Sequence, residues 1–129
     1  MKVNGLDYGV CGVEQLAYIG KMAFNTTGVD SGVALYELPQ KAIITGAVAV
    51  VGTAFDAGTT NVLTAGTNSD VNNLLGSGDV TEGTTGAYQV ATFVEAAKGD
   101  KIKVKYTQTG TAATAGAAEL YIKFVSIPD

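Results

Sequence analysis

Apolar and polar positions alternate most cleanly in the last third of the chain. In KIKVKYTQTG, residues 101–110, Ile102, Val104 and Tyr106 fall on one side and Lys101, Lys103, Lys105 and Thr107 on the other, a period of two that fits a strand with one wet face. AAELYIKFVSI, residues 117–127, repeats the pattern, with Leu120, Ile122 and Phe124 inward and Glu119, Tyr121, Lys123 and Val125 outward. AYQVATFVEA, residues 87–96, sets Tyr88, Val90, Thr92 and Val94 against Gln89, Ala91 and Phe93. Further back, VALYELP (33–39) reads as a strand stopped by Pro39, and NVLTAGT (61–67) as a short strand. KAIITGAVAVVGTAF (41–55) is nearly continuous in apolar residues and so belongs in the middle of a sheet, with Gly46 and Gly52 as bulge or bend positions. The stretch 68–86 is rich in Gly, Asn and Asp and reads as a loop region, with Val71, Leu74 and Leu75 as one helical turn pinned to the core.

Strands recurring at this spacing, with Gly, Thr and Asn punctuation between them, predict an all-β chain: a β-sandwich of jelly-roll-like topology. Residues 1–32 stand apart from this pattern. Six glycines between positions 5 and 32 interrupt a segment that still carries Leu6, Tyr8, Leu16, Tyr18, Ile19, Met22 and Phe24. Two readings fit. An extended N-terminal arm (1–32) could bury these side chains on another surface while 33–129 forms the sandwich, or the segment could supply the first strand pair of the sandwich itself. On the arm reading, those seven residues are the interaction candidates.

At 129 residues the chain has the size of one domain. The net charge of −4 rests on 12 acidic and 8 basic residues, all the latter Lys. An acidic chain without Arg is a poor partner for nucleic acid or for an anionic membrane. Cys11 is the one cysteine, so no intrachain disulfide forms, and a small buried thiol is its expected state. The opening residues contain no apolar signal core and no run is long enough to span a bilayer in a helix, which leads to the expectation of a cytoplasmic or cytoplasmically assembled protein.

Candidate chemistry is scarce. Without His there is no Ser-His-Asp or Cys-His arrangement and no His-containing metal site. No cofactor is expected. Asp56, Asp70, Asp79 and Glu82 could supply a glycosidase pair, but few aromatic residues and no Trp accompany them. Asn68, Asp70, Asn72 and Asn73 make an oxygen-rich cluster that lacks the spacing of a calcium loop, and Asx side chains in turns usually bond their own backbone. The Lys101, Lys103, Lys105 stripe reads as a solvated face that would also guard an edge strand. Tyr88, Tyr106 and Tyr121 are the one conceivable aromatic platform for a glycan.

The stretches DAGTTNVLTAGT, NSDVNNLL and VKYTQTGTAATAGAAELYIKFV resemble small β-sandwich virion proteins of tailed bacteriophages, over about residues 41–126. These are turn-forming motifs and carry no catalytic residues. The resemblance extends to capsid decoration (cement) proteins. It implies a non-enzymatic structural role on the virion surface, with the major capsid protein as partner and a homotrimer as the favoured assembly. A receptor- or glycan-binding module of a fibre or tail, or a head–tail ring protein, are the alternative readings.

Overall fold

The computed structural model describes residues 2–3, 6–7, 13–68 and 70–128, at 2–3, 6–7 and 71 for the backbone alone. Among them, ten strands form: β1 (Lys2–Val3), β2 (Leu6–Asp7), β3 (Glu14–Ala23), β4 (Val33–Glu37), β5 (Ala42–Thr53), β6 (Thr60–Thr67), β7 (Asp70–Leu75), β8 (Gly86–Ala96), β9 (Lys101–Thr109) and β10 (Ala117–Ser126). β1 and β2 make a small antiparallel pair.

The other eight strands make two four-stranded sheets, ordered β3-β10-β5-β8 and β4-β9-β6-β7, and every neighbouring pair is antiparallel. From β3 onward the chain passes from one sheet to the other at each connection except β6–β7. That crossing order is the jelly-roll-like sandwich expected from the pattern.

Alternation places the core. Ile102, Val104 and Tyr106 of β9, Leu120, Ile122 and Phe124 of β10, and Ile44, Ala47, Ala49 and Val51 of β5 are all buried between the sheets. The inward side chains of β5 include the small Ala47 and Ala49, which share one core cluster with the larger Leu63, Ile102 and Tyr106 of the other sheet. Burying each such large side chain is worth about 1.5–3 kcal/mol. Both predicted irregularities are present: the register shifts beside Gly46 against β8 and β10, and again where Gly52 is skipped against β10.

Two local expectations are corrected, and for residues 14–23 the strand reading holds over the arm reading. Residues 70–75 are a strand, not a helical turn; Leu74 and Leu75 are both buried because this short edge strand lies against the core as well as against β6. β9 lies inside its sheet, between β4 and β6, so the Lys stripe guards no edge. Residues 14–23 are a full strand of the sandwich, paired along their length with β10. The segment is laid inside the domain because its bulge at Ile19–Gly20 turns Ile19 and Met22 into the core.

Candidate docking face

The two outer faces of the sandwich differ in chemistry. On the β4-β9-β6-β7 side, Lys101, Lys103, Lys105 and Thr107 alternate outward from β9, and Lys101 pairs with Glu37 at 3.2 Å. On the β3-β10-β5-β8 side, the outward positions are largely apolar or aromatic. The register aligns them across the sheet: Tyr18 of β3 stands opposite Tyr121 of β10, which stands opposite Val48 of β5. Leu16 is beside Lys123, and Val125 is beside Ile43. Val50 sits one row on, against Glu119.

The Tyr18 and Tyr121 rings pack at 5.3 Å and a 56° tilt, a favourable offset arrangement. Leu16 is 63% exposed, Tyr18 50% and, on β8, Phe93 78%. Desolvation by its neighbours and then the Glu119 carboxylate raise the Tyr18 phenol above its ordinary value, and the phenol donates a long 3.5 Å hydrogen bond to Glu119. Among the described residues, outward Tyr, Val, Ile and Leu side chains span three strands, β3, β10 and β5, with Phe93 added on β8. An exposed apolar patch of this kind is a candidate interaction surface.

Of the seven interaction candidates, Leu16 and Tyr18 lie on this face. Ile19 and Met22 are 5% and 1% exposed and hold the core, so in this fold they have no surface to offer a partner. Phe24 packs against the core half-buried. Tyr8 and the side chain of Leu6 lie outside the described residues, as does Cys11. Sequence reasoning missed Val48, Val50, Ile43 and Phe93 as surface residues. The first three look like core because β5 is apolar on both faces, and the signal available was the excess of apolar positions over what one buried face requires.

The carboxylates are anchors for loops. Asp56 accepts hydrogen bonds from the Thr114 hydroxyl and from the N–H groups of Thr114 and Ala115, at 2.8–3.0 Å, which hold its carboxyl below the usual range. Buried Glu82 accepts from the Leu63 N–H at 2.9 Å, and Asp79 from the Gly76 N–H at 2.7 Å. In the Asn/Asp cluster, Asp70 accepts from the Asn72 N–H while Asn73 bonds Thr67, so these side chains turn to their own backbone and neighbours. Among the described residues, no three His, Cys, Asp or Glu side chains gather as a metal site.

The tyrosines do not form one platform. Tyr106 is 1% exposed, stacked on Phe55 and bonded to Asn61; burial first, then Asp56 and Glu82, push its phenol up. Tyr88 bonds the Thr84 carbonyl, and Tyr121 belongs to the apolar face.

No protein-family model matches the sequence, and no curated protein does. Two solved structures are similar over nearly the whole chain. A chain of the cyanophage Pam1 capsid asymmetric unit superposes with a TM-score of 0.67 at 13% identity, covering 98% of this chain and 94% of its own. A chain of the acid-stable capsid of the Helicobacter pylori bacteriophage KHP30 gives 0.65 at 18% identity, covering 93% and 92%. At these identities the likeness is one of fold, and the fold of this chain is the sandwich found in both capsids.

Proposed function

We propose that the chain is a non-enzymatic structural virion protein that decorates a bacteriophage capsid shell and stabilises it by docking on the major capsid protein. The observation that carries this reading is the apolar outer face of the β3-β10-β5-β8 sheet, on which no other strand lies among the described residues. Two supports stand beside it: the end-to-end likeness to chains taken from capsid structures, and loops whose carboxylates are engaged in anchoring backbone. An arm, in this reading, is confined to the residues ahead of β3. Repetition over a shell turns a modest contact into strong retention, because neighbouring sites are occupied together.

The test is to mix the purified full chain with expanded shells that lack it. Saturable co-sedimentation, together with a rise in the temperature at which the shells rupture, is the expected outcome. Shells that neither retain the protein nor gain heat resistance would overturn the proposal.

A further inference from the structure

We infer that two copies of this chain pair antiparallel along β3, joining their β3-β10-β5-β8 sheets into one continuous sheet about a twofold axis at Ala17. β3 is the edge of its sheet, and among the described residues no strand pairs with its outer side. An unpaired edge is a template for another strand. The opposite edge is less open, since the Thr92 hydroxyl of β8 bonds the Asn73 carbonyl of β7.

The side chains of β3 select the occupant. Along its outward face run Glu14, Leu16, Tyr18 and, after the bulge at Ile19–Gly20, Lys21. Antiparallel pairing centred on Ala17 sets Leu16 of one copy opposite Tyr18 of the other, twice by symmetry. The bulge removes one residue from the outward count, so the same register brings Glu14 of each copy beside Lys21 of the other. The strand is therefore complementary to itself, apolar in the middle and oppositely charged at its ends, as an isologous contact requires. Neither Glu14 nor Lys21 makes an ion pair among the described residues; the Glu14 carboxylate accepts from the Thr45 hydroxyl at 2.6 Å, and Lys21 stands opposite Glu119 of β10, so pairing would draw both side chains toward the edge.

Charges and a bulge also serve to keep edges apart. Here the two end charges differ in sign, and the most exposed apolar residues of the strand, Leu16 and Tyr18, sit between them, an arrangement suited to pairing. The pairing is twofold, not the threefold association implied by the sequence resemblance. It also leaves the flat outer face free and doubles its extent. It needs no shell, so its failure and that of the decoration reading are separate results.

The test is the mass of the full chain by light scattering across a dilution series. A species of twice 13.1 kDa is expected. Glu14→Lys faces each new Lys with Lys21 and should weaken pairing by about tenfold; adding Lys21→Glu restores the opposite signs and should recover most of the loss. Circular dichroism confirms folding of each variant. A folded wild-type chain that stays monomeric at every concentration, a trimer, or a charge reversal that the second substitution does not rescue would each overturn the pairing.

Discussion

Gly116 shows how closely single residues are set at the loop end of the sandwich. It is buried, its φ is +144°, and a Cβ placed on it would overlap the ring of Phe55, itself stacked on Tyr106. Gly116→Ala therefore combines backbone strain with displacement of a core ring, and should cost about 2–4 kcal/mol. Chemical denaturation of the two proteins, compared at equal slope, measures it; a loss under half the lower figure would show that Phe55 has room to move. Nearby, Asp56 fastens the 110–116 loop through three hydrogen bonds. Because those bonds lower its folded value, the carboxylate's contribution is present above the unfolded value and is lost as pH falls through the folded one. Asp56→Asn removes that dependence. The difference in melting temperature between wild type and variant should be constant at neutral and mildly acidic pH, and should shrink below the ordinary carboxylate range. A difference unchanged down to the acid limit would mean that the latch does not depend on charge.

At the scale of the strand, β3 plays two roles with two sets of residues. Met22 faces the core at 1% exposure, whereas Leu16 faces out at 63%. In protein dilute enough to be monomeric, Met22→Ala should cost about 2–5 kcal/mol, while Leu16→Ser should stay within about 0.5 kcal/mol of wild type. Thermal melts of the pair decide the matter, and equal effects would contradict the assignment of faces. This strand was also the hardest to read in advance. Its bulge sets Ile19 and Gly20 in succession toward the core, so strict alternation fails where the segment is richest in apolar residues. The same difficulty hid β7, whose adjacent Leu74 and Leu75 are both buried. By contrast, β8, β9 and β10 keep their period of two and were legible almost to the residue, and Gly46 and Gly52 marked the bulges of β5. What a strand's own pattern does not contain is its neighbours. That β9 lies within its sheet, and that Asp56 meets Thr114 58 positions away, are facts of pairing and closure.

For the molecule as a whole, the question is which face meets a shell, because the two outer faces are built for different surroundings. The lysines of β9 are suited to water; the Tyr, Val and Ile stripe across β10 and β5 gains most from being covered. Val48 lies at the middle of that stripe, between Tyr121 and Gln89, on the outside of the sheet. Val48→Lys introduces a charge there without entering the core, where Ala47 and Ala49 face. The variant should fold with a melting temperature close to wild type and lose shell retention by tenfold or more, about the cost of placing an unpaired charge at the centre of an interface. Lys103→Glu, on the other face, serves as the matched substitution and should leave retention unchanged. Co-sedimentation of both variants with undecorated shells separates the faces. If Lys103→Glu abolished binding and Val48→Lys did not, the contact would be electrostatic and on the β9 side, and the apolar stripe would need a different partner.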